Sequence, residues 1–524
     1  MTRPHSTHHH AAEVSADMSE LEREKFSSRA SHHEQIDKEL SHYIADVAVE
    51  ISSERNKELV RKLDKRVLPV LIVACLLQAL TQSTLPFASI MGLIEDTGMR
   101  RPDGRTSQQY SWLTTGMYLV MLVAEYPQNY IISKAPLAKY LGFCMICEGF
   151  IVASHAACVN FTGLIIGRCL LGIFEAACQP CLVLISVMWY RKEEQVVRIP
   201  IWYMMSGVQQ IIGGFLAYGF TYISKGPLAA WKWWFIFIGV VLVIWGLFIM
   251  YWLPDSPTRA KCFTVEEKRD MIERVRDNQT GIQNEKFKRE QVVEALLDPQ
   301  VWAYSVINLC TTLPTVGLSS FANIIIKSFG YSARNSQLLS MPLGLYVMII
   351  LLSASWFAKR TNQNVLVMLV YMILSFVGTI LLMTLSENTK SQRIGLLLCY
   401  YITFSFWATT ALSLSLLSRN IAGQTKKMVT LTLTFIMWAV GNTVGPQVFL
   451  AWDGPRYFIA FATHLGCYSV LVAVLVVLRW YLQKQNSYRD RMAAEGVQEA
   501  DPKDRSRAFD DLTDKENLSF RYVF

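Results

Sequence analysis

Residues 161–187 read FTGLIIGRCLLGIFEAACQPCLVLISV. As a helix rising 1.5 Å per residue, a run of this length reaches about 40 Å, more than the roughly 30 Å of bilayer hydrocarbon. Only two of its residues are charged, Arg168 and Glu175. Seven residues apart, they sit about 20° apart around a helix and about 10.5 Å apart along it, so both project onto one face at two depths. An ionisable group at that depth costs roughly 2.5–3.5 kcal/mol on insertion scales and marks function by default.

Eleven more apolar runs flank this one, near 68–92, 111–133, 140–158, 198–223, 231–253, 301–324, 338–358, 364–385, 394–418, 428–451 and 458–482. Backbone groups cannot go unpaired in lipid, so runs of this kind must be helical. The chain of 524 residues is 52% hydrophobic and 18% charged, against about 25% charged in soluble domains. That balance disfavours a soluble enzyme, a disordered chain or a small disulfide scaffold. The predicted fold is an all-α membrane protein with twelve transmembrane helices in two pseudo-symmetric six-helix halves. The boundaries are a disordered cytoplasmic tail with a short helical lead-in (1–66), the first half (67–253), a cytoplasmic loop with short helices (254–300), the second half (301–483) and a cytoplasmic tail (484–524).

Lys and Arg near the span ends number 29 on the side of the termini and ten on the other, which predicts both termini in the cytoplasm. Trp231, Trp233, Trp234, Trp252, Trp452 and Trp480 sit near run ends, as interfacial anchors do. The net charge of +8 lies mostly outside the runs, so no nucleic-acid face is expected. HSTHHH at 5–10 reads as part of a solvated tail. Cys144/Cys147 and Cys178/Cys181 have i, i+3 spacing without companion ligands, and read as packing residues; no metal site is expected. Asn160, Asn278 and Asn517 head Asn-x-Ser/Thr triplets at places where no glycan of consequence is expected.

The other intramembrane ionisable residues are Glu125, His155 and His464. An arginine such as Arg168 can hold a carboxylate by two parallel hydrogen bonds, and a buried glutamate such as Glu175 can carry a proton. Glu125 lies nearer a membrane face and suits a gate; structural pairing, as of Arg168 with Glu125, is the alternative. Both histidines read as satisfied interfacial residues. Gln82, Gln209, Gln210, Asn308, Asn442 and Gln447 are amides that could bind substrate or join helices. Gly441, Gly445 and Pro446 suggest a deformable stretch beside Asn442.

Several stretches occur together and in order: SIMGLIEDTGM, QQYSWLTTGMY, EYP, HAAC, GRCLLGIFEAACQP, MWYRKEEQ, PDSP, NQTGIQNEKFK, ALLDPQ, FANIIIKSFGY, NIAGQTKK and GNTVGPQ. In these the chain resembles transporters of the major facilitator superfamily, and within it the anion:cation symporter family in its fungal allantoate permease branch. The resemblance covers about 60–490 and implies uptake of organic anions together with protons. It implies that Arg168 contacts anionic substrate and that Glu175 couples to protons. One departure stands out: where the family commonly has an Asp followed by Lys or Arg in the first span, this chain has Thr81 and Gln82.

The resulting expectation is a proton-coupled secondary transporter of a small organic anion or related polar metabolite, working by alternating access. Arg168, Gln82 and Asn442 would bind substrate, Glu175 would carry the proton and Glu125 would serve as a gate. No enzyme activity, cofactor or metal is expected, and no GxxxxGK[ST] loop for ATP occurs. The partners expected are the small-molecule substrate, protons and the lipid bilayer, with the chain a monomer in the plasma membrane. An exporter of a fungal secondary metabolite on the same fold, and a nutrient sensor that does not transport, remain open alternatives.

Overall fold

All twelve apolar runs are helical, as the hydrogen-bond demand of a backbone in hydrocarbon requires. The computed structural model describes residues 52–102, 106–191, 194, 198, 201–202, 204–223, 227–256, 260, 263–279, 288–385, 390–494, 512–517 and 520–524. The histidine-rich stretch at 5–10 and most of the N-terminal tail lie outside these residues. The predicted helical lead-in is α1 (Ser53–Arg66), started by the Ser52 side chain accepting from the Arg55 N–H, with Leu59 and Leu63 buried. Pro69 sits in the first turn of α2 (Leu68–Ala88), where a missing N–H costs nothing. Further on, Pro86 interrupts the ladder and the helix loosens into a π-turn, Ser89–Leu93, in which Gly92 takes φ 108°.

The first half continues with α3 (Gln109–Ile132), α4 (Leu137–Ser154), α5 (Phe161–Trp189), α6 (Met205–Phe220) and α7 (Ala230–Trp252). Asn160 is the N-cap of α5, accepting from the Gly163 N–H at 2.9 Å, so this sequon asparagine serves the helix. The intervening segment holds α8 (Val265–Gln279) and α9 (Arg289–Leu297). The predicted capping box at the start of α8 is present: Thr264 and Glu267 each donate a backbone N–H to the other's side chain. The second half is α10 (Pro299–Ser328), α11 (Ala333–Leu339), α12 (Met341–Thr361), α13 (Asn364–Thr384), α14 (Lys390–Thr403), α15 (Trp407–Asn420), α16 (Gln424–Val444) and α17 (Phe458–Ala494). Here α11 with α12 makes the eighth run, and α14 with α15, joined by a 3-10 turn at Phe404–Phe406, makes the tenth.

Helix pairing repeats between the halves. In the first, α2 packs on α6, α3 on α5 and α4 on α7; in the second, α10 packs on α16, α12 on α15 and α13 on α17. The second set is the first displaced by six spans, which is the pseudo-symmetry in contact form. The halves meet where α6 faces α12, α3 faces α16 and α2 faces α10.

Small residues let these backbones approach, as they do where lipid offers no hydrophobic drive between helices. Gly142 and Gly149 of α4 face Gly246 and Gly239 of the antiparallel α7. A Cβ added at Gly149 would lie 2.6 Å from the Gly239 carbonyl oxygen, and one at Gly142 would lie 2.7 Å from that of Gly246. Gly207 of α6 meets Gly344 of α12 in the same way across the halves. For the Gly445 region the sequence left a deformable stretch and close helix packing both open, and the structure has the close contact: a Cβ there would stand 2.5 Å from the Leu313 carbonyl oxygen.

The end of the bundle that carries α1 is fastened by charge. α8 is tied to α1 by Glu267 with Lys62 and by Asp270 with Arg55 at 3.1 Å, and the Lys62 ammonium holds the Glu267 carboxyl below its ordinary range. In the second half the buried Lys426 ammonium lies 2.7 Å from Asp298, 2.8 Å from Asp514 and 2.9 Å from Glu294. These three carboxylates could suit a metal ion, but Lys426 already sits among them. The predicted C-terminal tail is in part structural. α17 runs on to Ala494, and residues 520–524 dock on the bundle, with Asn420 pairing with the backbone of Val523 and Asn486 with that of Tyr522. Two of the tryptophans read as interfacial anchors are core residues: Trp231 and Trp234 are fully buried, and the Trp231 indole donates to Asp96 at 2.7 Å. Trp252, Trp452 and Trp480 are exposed as expected.

Gly149→Leu should force α4 off α7, because the obstacle is backbone and cannot rotate away. Overpacking of this kind costs about 1–3 kcal/mol, so the purified protein should show a lowered thermal aggregation midpoint. Gly466→Ala, whose Cβ meets nothing within 4 Å, should leave the midpoint unchanged.

Candidate functional site

Arg168 and Glu175 lie inside the first half, on the face of α5 that their seven-residue spacing predicts. Their side chains are sealed, with relative exposures of 2% and 1%. The Arg168 guanidinium donates to Thr84 Oγ1 of α2 at 3.1 Å and stands 5.9 Å over the Phe235 ring of α7. Glu175 Oε1 accepts from the Gln82 amide at 2.7 Å. Two of the predicted substrate residues and the predicted proton carrier therefore belong to one polar cluster. Gln82 offers the Glu175 carboxyl a neutral hydrogen bond.

Sequence reasoning missed a third charged residue. Glu148, on α4, has an exposure of 0%, and its Oε1 accepts from the Cys178 thiol at 3.1 Å. Cys178 lies one turn beyond Glu175 on α5, and Glu148 and Glu175 are within electrostatic reach of each other. The signal was available, since Glu148 is a carboxylate inside an apolar run. The run was broken by small and polar residues, which hid it. The expectation that no carboxylate accompanies the Cys178/Cys181 pair is corrected here: Cys178 is the hydrogen-bond donor to Glu148. Tyr118 of α3, also buried, is in electrostatic reach of both Arg168 and Glu175 and packs edge-on to Trp438 of α16, 6.1 Å between centroids. It links the charged cluster to the second half.

The other predicted residues stand apart. Glu125 is half-buried near the end of α3 and accepts from Asn129, its own helix neighbour, at 3.4 Å. Asn442 is buried on α16, its amide donating to the Trp438 carbonyl at 2.8 Å. Asn308 joins α10 to the Thr434 carbonyl of α16 at 2.9 Å. His155 and His464 are corrected from interfacial to buried: His155 stacks on Phe235, and His464 lies among Phe449 and Phe461.

Toward the end of the bundle opposite α1, hydrogen bonds latch the halves together. Thr115 donates to the Thr443 carbonyl at 2.8 Å and accepts from Gln447 at 2.9 Å. Gln108 donates to Gln447 Oε1 at 3.0 Å, and Tyr110 donates to the Ser320 carbonyl at 2.8 Å. Asn323 donates to the Pro86 carbonyl and Gln337 to that of Phe87, both at 3.0 Å. Gln447, predicted as a substrate or helix-joining amide, belongs to this latch. The apolar groove of about 300 Å³ between α10 and α17, lined by Trp302, Val306 and Val474 among others, offers a polar substrate little.

A family model described as the Major Facilitator Superfamily matches residues 70–446. The chain belongs to the major facilitator superfamily. Among curated proteins, this facilitator is 32% identical to an uncharacterized transporter of Schizosaccharomyces pombe, over 90% of this chain and 91% of the relative. It is 30% identical to the allantoate permease of Saccharomyces cerevisiae, over 91% of this chain and 88% of the relative. Its fold is similar to that of a bacterial homolog of the human lysosomal transporter Spinster in an inward-facing, unoccupied conformation. That match has a TM-score of 0.57 and 14% identity, over 79% of this chain and 94% of the other. A multi-pass membrane transport protein, not an enzyme, is the class these relatives establish for the chain.

In this facilitator Arg168 is the cation of the buried cluster. Arg168 and Glu175 interact through their fields and not as a contact ion pair, yet removing the cation leaves a buried carboxylate without compensation. Arg168→Met should therefore lower the denaturation midpoint of the purified protein strongly. Adding Glu175→Gln in that background should recover part of the loss; additive losses would show that the two groups do not interact.

Proposed function

We propose that the protein is a proton-coupled secondary active transporter of a small organic anion or a related polar metabolite. The observation that carries this reading is the pair of buried groups Arg168 and Glu175, with Glu175 held by the exposed Gln82, within a bundle whose halves are latched at one end. An arginine in a water-excluded site recognises a carboxylate by two parallel hydrogen bonds. With the substrate anion on Arg168, Glu175 loses its compensating cation, and taking up a proton restores neutrality. Substrate and proton thus favour each other's binding, which is coupling in thermodynamic form. Gln82 holds Glu175 without competing as a cation, in the place where the related symporters carry a charged pair. The likeness to allantoate permease supports an anionic substrate. Asn442, across the interface on α16, is the second half's candidate substrate residue, and Glu125 a gate at the opposite end from the latch.

The excess of Lys and Arg on the α1 side supports cytoplasmic termini. In that orientation the latch of Gln108, Thr115, Thr443 and Gln447 is the outer gate, closed, and rocking of the halves opens it. No observation on the site favours export over import; direction is an outcome of the test.

Metabolite profiles of cells and medium, compared between the intact protein and Glu175→Gln, test the reading. A compound enriched inside only with the intact protein, and more so at acidic external pH, is the expected result. A compound shifted to the medium would make it an exporter, and no change would leave the sensor. Independently, oxidative cross-linking of Gln108→Cys with Gln447→Cys should arrest movement of that compound, and reduction should restore it. Transport that continues through the cross-link would exclude opening at this latch.

A further inference from the structure

The buried cluster carries an imbalance that the transport reading leaves unused. Its charged groups are one guanidinium, Arg168, and two carboxyls, Glu148 and Glu175, each with an exposure of 2% or less. Fully ionised, the cluster would hold one uncompensated negative charge among three buried side chains, which is among the most costly arrangements in a protein interior. The other titratable groups facing it are Tyr110 and Tyr118 from α3, Cys144 and Cys147 from α4, and Cys178 from α5. None of these supplies a second positive charge. His155 faces Arg168 but is turned to the Ile151 carbonyl, to which its Nδ1 is hydrogen-bonded at 2.7 Å.

The hydrogen bonds on the two carboxyls are also half complete. Cys178 serves one oxygen of Glu148, and Gln82 serves one oxygen of Glu175. The second oxygen of each has no hydrogen-bond partner among the described residues. Beside both stands Gln78, one helical turn before Gln82 on α2, with an exposure of 6%. Among the described residues, neither its amide nitrogen nor its amide oxygen has a hydrogen bond of ordinary geometry. A primary amide is a donor at one atom and an acceptor at the other. Between two carboxylates its oxygen would meet only acceptors. Between one carboxylate and one carboxylic acid both atoms are served: the nitrogen donates to the ion, and the acid O–H donates to the oxygen.

We propose that Glu148 and Glu175 form a proton-sharing pair bridged by Gln78, in which Glu148 holds a resident proton while Glu175 stays ionised toward Arg168. This deepens the proton-coupled reading given above and rests on it. The reaction is the simple binding of H⁺ to a carboxylate. In the empty site the pair carries one proton, and the charges of Arg168 and Glu175 cancel. When a monovalent anion takes Arg168, a second proton on Glu175 restores neutrality, so one proton accompanies each such anion and no net charge crosses.

Infrared spectroscopy of the purified full-length protein in lipid nanodiscs tests this without a known substrate. At pH 7 the intact protein should show the carbonyl band of a protonated carboxyl. Glu148→Gln should abolish it, since Glu175 then pairs alone with Arg168; Glu175→Gln should abolish it too, since Glu148 then becomes the counter-ion. Glu125→Gln should leave it in place. Absence of the band in the intact protein, or its persistence in Glu148→Gln, would overturn the pair. If Glu148→Gln does not fold, Glu148→Asp carries the test: a displaced band supports the pair, and an unmoved band overturns it. Transport assays separate the two readings. Accumulation independent of pH with the band intact defeats proton coupling and leaves the pair standing. Accumulation driven by acid without the band defeats the pair and leaves coupling through Glu175 alone.

Discussion

A guanidinium buried among carboxyls is tolerable only where every charge is answered, and the placement of Arg168 organises the first half around that requirement. Its partners come from three other helices. Thr84 of α2 accepts its hydrogen bond, Phe235 of α7 lies beneath it, and Tyr118 of α3 sits within its field. Glu175 answers it along α5 itself. Low dielectric makes each of these interactions stronger than it would be in water, and makes each missing partner more costly. The site is thus both the functional candidate and the polar core that fixes how these helices face one another.

Such a core needs close helices, and glycine supplies them. Gly142 and Gly149 against Gly246 and Gly239 bring α4 onto α7, and this contact holds Glu148 toward α5. Gly172 does the same for α5 and α3, where a Cβ would stand 2.5 Å from the Met117 carbonyl oxygen. In lipid these contacts rest on packing and on hydrogen bonds, not on burial of apolar surface from water. The interface between the halves is built differently. It has glycine crossings, Gly207 with Gly344 and Gly214 against the Gln337 carbonyl, and a set of side-chain amide and hydroxyl bonds toward one end. Those bonds are neutral and can be exchanged for water, which suits a contact that must open. The charged fastenings, Lys426 with its three carboxylates and Lys62 with Glu267, lie within a half or between a half and the loop helices beside it. Strong contacts hold each half together, and weaker ones join the two.

The aromatic contact of Tyr118 with Trp438 gives the charged cluster its reach across that interface. A substrate held on Arg168 would be sensed there by the second half, whose buried span interiors offer amides and hydroxyls. On the proposed reading, this asymmetry, with charge in the first half and neutral polar groups in the second, divides coupling from selection.

The sequence by itself determined the twelve helices, their division six and six, and the shared face of Arg168 and Glu175. These follow from local rules: hydrocarbon forbids unpaired backbone, and a seven-residue spacing has one geometry on a helix. The resemblance to the symporter family, and not these rules, marked Gln82 as a departure from a charged residue. Tertiary structure alone decided which residues meet. Gln82 reaches Glu175 across 93 positions of chain, and Cys178 reaches Glu148 across 30. Trp231, His155 and His464 were misread as interfacial because proximity to a run's end says nothing of which side of a helix faces its neighbours. Glu148 was hidden because small and polar residues break the run that carries it. A charge in a weakly apolar run gains its meaning from the helices that seal it, and the depth of burial is a property of the packed bundle, not of the strand of residues that enters it.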